Sequence, residues 1–395
     1  MYSEKMYQYG SQKSVIREIF AYGQKKIREE GPEAVYDFSL GNPSIPAPEK
    51  VTEELVKILT ETDPVAVHGY TAAQGDLQLR EKLAESVKER FGFETNAEEF
   101  YITCGAAASL CCVIRALTEP EDEWILFAPY FPEYKCFVEA AGGRVKTTAP
   151  EEKTFQINME DFEKNITEKT KAVIINSPNN PSGVVYSVET IKKLAEILNR
   201  KEEEYGHPVF LIADEPYREI VYENVEVPYL PKYYQNTIVC YSYSKSLSLP
   251  GERIGYILIP GQVTEGRKIY SAVCGAGRSM GYVCAPSLFQ KLLIRCMNET
   301  SDMEAYRENR NLLYGQLTSM GYECVKPQGA FYLFVKTPEP DADIFCKKAR
   351  EKYNLLLVPG DSFGCPGYMR VSYCVSNEMI RRSLPFFEKV MEEYR

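Results

Sequence analysis

Histidine is almost missing from this chain, with only His68 and His207 among 395 residues. A metal site built on imidazoles and a Ser-His-Asp triad are therefore nearly excluded. The twelve cysteines include no C-x-x-C pair, which removes the usual zinc and redox spacings. Cys111, Cys112, Cys136, Cys240 and Cys284 sit in apolar runs, so reduced thiols packed as small hydrophobes are expected. Positive charge is in deficit: 46 Lys and Arg stand against 56 Asp and Glu, a net charge of -10. That argues against nucleic acid or an anionic membrane surface as a partner. No apolar run reaches the length of a membrane span, and the opening Met1-Tyr-Ser-Glu-Lys is polar. A cytoplasmic location is expected. Also missing are a Walker-type Gly-Lys-Ser/Thr loop, an internal repeat and any low-complexity tract.

What is present has the balance of a globular protein, 44% hydrophobic and 26% charged. The length exceeds one ordinary core and predicts two domains. Val15, Ile16, Ile19 and Phe20 have helical spacing in a stretch that ends at Gly31-Pro32. Leu79, Leu83 and Val87 mark a second helix. Continuous apolar runs then begin at Phe100, Trp124, Ala172, Val209, Ile238 and Tyr256. Helical stretches from Ala106 to Leu117, from Glu133, and from Val188 to Glu204 lie between them. Unbroken apolar runs indicate strands buried on both faces, and the alternation predicts an α/β class with an open, mostly parallel sheet. From about Ala285 the pattern changes. A long helical region to Met320, short strands near Phe331, Leu355 and Met369, and a closing helix predict a smaller α+β unit. Twenty-nine tyrosines exceed ordinary usage, and the sequence offers no single reason for them.

The most unusual stretch is Ser242-Tyr-Ser-Lys245-Ser-Leu-Ser-Leu-Pro-Gly-Glu-Arg253. It places one lysine in a hydroxyl-rich turn between two apolar runs. A desolvated lysine has a lowered pKa and attacks carbonyls. Hydroxyls and a guanidinium suit a phosphate. An amine able to form a Schiff base beside a phosphate cradle describes a pyridoxal phosphate (PLP) site, although an exposed loop lysine with a structural arginine has the same letters. Gly105, Pro129, Asn180, Asp214 and Ser242 each follow a predicted strand, and ligands of open α/β sheets bind at the carboxyl ends of the strands. Asp214 suits a pyridinium nitrogen or a turn cap. Asn180 and Tyr217 suit a phenolic oxygen. Gly105-Ala106-Ala107 offers bare N–H groups at a helix start, or plain close packing. Arg370, in Met-Arg-Val-Ser, suits a carboxylate or an ion pair. In Gly41-Asn-Pro, the glycine lets the backbone approach a ligand.

Taken in order, these motifs resemble those of the fold-type I, PLP-dependent aminotransferases of class I/II, the aspartate aminotransferase-like family. The likeness runs from Leu40-Gly41-Asn-Pro through Tyr70, Gly105-Ala106-Ala107, Pro129-Tyr-Phe-Pro, Asn180-Pro-Ser-Gly, Asp214-Glu-Pro-Tyr217, Ser242-Tyr-Ser-Lys245 with Arg253, and Pro327-Gln-Gly-Ala-Phe331-Tyr to Arg370. It implies a seven-stranded, mostly parallel sheet flanked by helices in residues 45–285. A small domain would form from residues 1–44 and 286–395. It implies that Lys245 carries the cofactor as an aldimine and that Asp214 holds the pyridine nitrogen. Asn180 and Tyr217 hold the phenolic oxygen. Ser242, Ser244, Arg253 and the amides following Gly105, those of Ala106 and Ala107, hold the phosphate. Tyr70 reaches the phosphate of a neighbouring subunit, which implies a homodimer with shared sites. Phe131, or Tyr130 in the alternative register, stacks on the ring. Gly41, Asn180 and Arg370 take the substrate's α-carboxylate.

The implied activity is ping-pong transfer of an amino group between an L-amino acid and a 2-oxo acid such as 2-oxoglutarate, within amino-acid biosynthesis. A C–S β-lyase uses the same Lys245 and Asp214, and a PLP-binding regulatory module is a further alternative. Two departures bear on the donor. Ala107 stands where one aspartate-specific branch carries lysine, and the stacking position is Phe rather than Trp. Arg278, in the Gly-rich stretch Cys274-Gly-Ala-Gly-Arg278-Ser-Met-Gly281 whose backbone is expected to bend toward a cleft, is the candidate for binding a second carboxylate, which would favour aspartate or glutamate. An interface or helix-start arginine is the other reading of that residue.

Overall fold

The apolar runs do become strands, and hydrogen bonding sets their order in the computed structural model, which describes residues 1–11 and 14–395. A seven-stranded sheet runs Phe100–Thr103, Gly255–Leu258, Thr237–Ser242, Phe210–Asp214, Thr170–Asn176, Glu123–Phe127 and Arg144–Thr148 from edge to edge. Only Gly255–Leu258 runs against its neighbours. The others are parallel, so their carboxyl ends share one edge. Along the central strands, successive residues Val173 and Ile174, and Leu211 and Ile212, are all buried, as a sheet covered on both faces requires.

The one reversed strand serves the site. Gly255 pairs with both Thr103 and Ser242, the last residues of their strands. Its amino end therefore lies at the same edge as their carboxyl ends, and Arg253 is delivered there. A Cβ on Gly255 would lie 2.2 Å from the Tyr241 carbonyl oxygen, so the crossing requires glycine.

A second, antiparallel sheet orders Val358–Pro359, Tyr368–Ser372, Tyr332–Lys336 and Glu323–Cys324. The short strand Tyr36–Asp37 pairs in parallel with Leu355–Leu356, and Ser372 N donates to the Phe38 carbonyl at 3.0 Å. The segment that leads to Gly41 is thus tied to the strand that carries Arg370. The helix Val15–Glu30 precedes it, and Gly31 caps its end. Positions 12 and 13 of the helical stretch expected there lie outside the described residues.

Three expectations differ from the structure. The region 285–320 is two helices, Ser287–Cys296 and Met303–Ser319, because Asp302 caps a new start by accepting from Glu304 N and Ala305 N. The strand Arg144–Thr148 is an edge strand with a polar sequence, so it lacks the apolar run that marks the others. The Gly-rich stretch around Arg278 is the end of a helix, Gly266–Ser279, and not a bending loop. Gly277 lets the helix approach its neighbour: a Cβ there would lie 2.3 Å from the Tyr101 hydroxyl. All twelve cysteines are free thiols, each buried or half-buried. Among the described residues no helix is long and apolar enough to cross a membrane, and no cluster of acidic, His and Cys side chains is placed to hold a metal.

Candidate active site

A cavity of about 280 Å³ opens at the carboxyl edge of the large sheet. The carboxyl ends of five strands feed it, through Ala106, Phe131, Asn176, Asp214 and Ser242. Ser242 ends one strand and caps the short helix Tyr243–Ser246, its Oγ accepting from Ser244 N at 3.2 Å. That half-turn aims Lys245 at the cavity, where Nζ donates to the Gly41 carbonyl at 2.7 Å. Burial lowers the Lys245 pKa to about 8, and the positive charges of Arg253 and Arg370 act in the same direction, while Cys374 opposes them. The amine is therefore partly unprotonated near neutrality, as a nucleophile and base must be.

Asp214 ends the neighbouring strand and is buried. Its backbone is pinned because Asn176 Nδ2 donates to its carbonyl at 2.9 Å. The Tyr134 hydroxyl donates to Oδ2, while Oδ1 is buried without a partner. Burial raises the Asp214 pKa to about 7, opposed by the Tyr134 hydrogen bond and assisted by Glu215. Such a carboxylate is costly unless a cation or a donor meets its free oxygen.

This cost gives a testable pH dependence. The folded-state pKa of about 7 lies above the ordinary 3.8, so between those values the folded chain holds a proton that the unfolded chain has released. Stability from this group is present below the lower value and is lost as pH rises through the upper one. In urea melts of cofactor-free protein, wild type is expected to lose roughly 2–4 kcal/mol relative to Asp214→Asn between about pH 4 and about pH 8. A pH-independent difference between the two would show that Asp214 ionises freely.

The phosphate-type elements gather at one end. Ala106 and Ala107 open the helix Ala106–Leu117, preceded by Gly105 at φ 87°. A Cβ on Gly105 would lie 3.0 Å from an Arg253 terminal nitrogen, so the glycine leaves room for that guanidinium. Arg253 itself holds φ 52°, which non-glycine residues adopt rarely. Its NH1 donates to Ser244 Oγ at 3.3 Å and to the Pro250 carbonyl at 2.9 Å. Ser242 Oγ and Ser244 Oγ are 2.7 Å apart.

At the other end Arg370 is buried. Its NH1 donates to Asn180 Oδ1 at 3.0 Å, NH2 donates to the Ser39 carbonyl, and Nε has no partner. Its guanidinium lies 4.8 Å from the Tyr332 ring centre and 5.0 Å from that of Phe363. Burial lowers its pKa, and the groups that act against this are Tyr332, Tyr217 and Cys374, none of them a carboxylate. Tyr217 and Tyr332 join hydroxyls at 2.7 Å.

Twelve of the residues singled out from sequence thus line one cavity: Gly41, Ala106, Ala107, Phe131, Asn180, Asp214, Tyr217, Ser242, Ser244, Lys245, Arg253 and Arg370. Gly105 lies immediately behind it. Phe131 lines the cavity, whereas the ring of Tyr130 faces Gly364, where a Cβ would lie 2.6 Å from it. Two residues are elsewhere. Tyr70 is 87% exposed. Arg278 is exposed in the last turn of its helix and lines a different cavity with Ala73, Tyr101 and Tyr282. Sequence reasoning missed Tyr134, Tyr332, Ile16 and Leu40. Tyr332 adjoins a motif residue and was within reach. Tyr134 carried no signal, since its role depends on how its helix is turned toward Asp214.

The fold and this cavity define an α/β enzyme whose chemistry sits at the strand ends. The family model for aminotransferase class I and II matches residues 33–385. The chain belongs to that family, and it is an enzyme that acts as a transaminase. It is 31% identical to the aspartate aminotransferase of Thermotoga maritima, over 90% of this chain and 91% of that one. It is 29% identical to aromatic-amino-acid aminotransferase 2 of Thermococcus litoralis, with 96% of each covered. A solved aminotransferase from Eubacterium rectale is 56% identical, with a TM-score of 0.97 over 100% of this chain and 99% of that one.

Proposed function

We propose that this cavity binds pyridoxal 5'-phosphate and exchanges an amino group between an L-amino acid and a 2-oxo acid in ping-pong fashion. The observation that carries the proposal is the pairing, in one cavity, of an amine with a lowered pKa and a buried carboxylate whose Oδ1 lacks a partner. The residues fit the group on further counts. Gly105 leaves space beside Arg253, and two hydroxyls and two helix-start amides converge there.

When bound, pyridoxal phosphate supplies an aldehyde that takes up amines and a ring that accepts electrons from the substrate's Cα. Lys245, whose Nζ faces this cavity, would be the amine that holds that aldehyde. Its Nζ, once free, would take the substrate's Cα proton as base and, as acid, deliver it to the carbon that was the cofactor's aldehyde, so that the substrate leaves as its 2-oxo acid. Asp214 keeps the ring nitrogen charged. Asn180 and Tyr217 hold the phenolic oxygen, and Phe131 covers the ring face. Ser242, Ser244, Arg253 and the amides of Ala106 and Ala107 hold the phosphate. Arg370, with Asn180 and Gly41, orients the substrate's α-carboxylate.

We also propose a large domain of residues 45–285 and a small one of 1–44 with 286–395, a cytoplasmic location and a biosynthetic role. A homodimer is proposed in which Tyr70 reaches the partner's phosphate site and Arg278 meets an acidic substrate there. The exposure of Tyr70, of Val283 at 63% and of Met280 at 38% supports a covered face in this region.

The test is a donor panel of acidic, aromatic, branched and small L-amino acids with PLP-loaded protein and 2-oxoglutarate. Glutamate should form from at least one donor, in step with its 2-oxo acid. Cystathionine is added to the panel for its sulfur leaving group: release of ammonia and pyruvate from it without any acceptor, with no glutamate formed from any donor, would overturn the transaminase reading. The panel repeated on Arg278→Ala tests the acidic preference: kcat/KM for aspartate should fall about 10-fold or more and that for alanine should not, a ratio that in ping-pong kinetics reads the donor half-reaction without the 2-oxoglutarate step.

A further inference from the structure

Asp214 has one free oxygen because its other oxygen is taken, and the group that takes it lies outside the roles given above. Tyr134 stands in the first turn of the helix Glu133–Ala141 and is 1% exposed. Its hydroxyl donates to Asp214 Oδ2. Its backbone N–H donates to the Phe131 carbonyl at 3.1 Å, and the two rings meet edge to face at 5.5 Å. One turn of chain thus presents a ring to the cavity and a hydroxyl to the carboxylate.

The other groups around Asp214 leave this task to Tyr134. Asn176 pins its backbone carbonyl and does not touch the carboxylate. Glu215, the next residue, is engaged with Arg218. The hydroxyl of Tyr217 is paired with Tyr332. Cys240 is a buried thiol on the adjacent strand. With the backbone fixed, rotation of the side chain is the freedom that remains, and the Tyr134 hydrogen bond removes it.

We propose that Tyr134 is the positioning residue for Asp214, holding Oδ2 so that Oδ1 faces the cavity and stabilising the ionised carboxylate so that the proton stays on the cofactor's ring nitrogen. This rests on the reading that Asp214 faces that nitrogen. A hydrogen bond to a carboxylate favours its charged form. Burial and the Asp214 charge push the Tyr134 hydroxyl well above its ordinary pKa, so it remains a donor throughout the working range. Loss of the donor makes the carboxylate more basic, and the shared proton moves from the ring nitrogen toward Asp214.

The experiment uses PLP labelled with ¹⁵N in the ring, bound to wild type, Tyr134→Phe, Asp214→Asn and protein carrying 3-fluorotyrosine at position 134. The ¹⁵N shift reads ring protonation directly, and titration gives the PLP Kd. Wild type should be pyridinium-like. Tyr134→Phe should move toward neutral pyridine and bind PLP about 10-fold more weakly, the order expected for a charge-assisted hydrogen bond. Fluorotyrosine, a stronger donor of nearly the same shape, should move the shift the opposite way. A purely structural role for Tyr134 would not give opposite signs. Identical shifts and Kd in wild type, Tyr134→Phe and the fluorotyrosine protein, with Asp214→Asn altering both, would overturn the role of Tyr134 alone. If Asp214→Asn also altered neither, the assignment of Asp214 would fall with it.

Discussion

Lys245→Ala is expected to lose at least about 10⁴-fold in transamination rate while keeping its fold and most of its cofactor affinity. The side chain leaves from the cavity end of a four-residue helix whose cap, Ser242, is untouched by the change. Its one hydrogen bond goes to the Gly41 carbonyl. The loss is therefore of an amine and not of packing. Cofactor contacts assigned to Asp214, Ser242, Ser244 and Arg253 survive, so PLP should still bind, without the absorbance of a lysine-linked cofactor. A small primary amine added to the variant should restore part of the rate, since the space left is that of the missing side chain. Wild-type turnover by Lys245→Ala would remove Lys245 from the chemistry. Single-turnover kinetics with a reactive donor make the comparison cleanest.

Arg370→Ala is the second large effect. The guanidinium is buried between two aromatic rings, with Nε unpaired and no carboxylate among the groups acting on it. A buried cation in that condition is stabilised by an arriving carboxylate. Its removal should lower kcat/KM by about 10³-fold for every amino-acid donor, chiefly through KM. Arg370→Lys keeps charge but loses the two-pronged fork, and should recover only part of it. A loss confined to aspartate and glutamate would instead make Arg370 the side-chain selector. Steady-state kinetics on an acidic, an aromatic and a small donor separate the two.

Much of this site was legible because its residues follow strands. Asp214 and Ser242 end their strands and Asn180 lies in the turn just past Asn176, and a parallel sheet puts all such positions on one edge. Arg253 was legible only by its spacing from Lys245. Its delivery depends on the reversed strand Gly255–Leu258, whose direction the sequence does not carry. Arg278 marks the opposite case. Glycines in Cys274-Gly-Ala-Gly suggested a bend, but the stretch is helical and the second of them, Gly277, leaves the helix face thin enough to lie against Tyr101. The same letters serve both purposes, and only the partner surface decides. Part of the tyrosine surplus has its reason in the core, where hydroxyls find partners across long sequence separations. Tyr217 meets Tyr332, Tyr134 meets Asp214, and Tyr222 donates to the Ala330 carbonyl at 2.6 Å. None of these pairs leaves a local pattern to read.

The most direct measurement is reduction of the PLP-treated protein with borohydride, followed by peptide mass mapping. Reduction fixes the cofactor to whichever amine holds it. The peptide containing Lys245 should carry the added mass at one cofactor per chain, and Lys245→Ala should carry none. Label spread over surface lysines, or absent from the Lys245 peptide, would contradict the assignment of this cavity as the catalytic site.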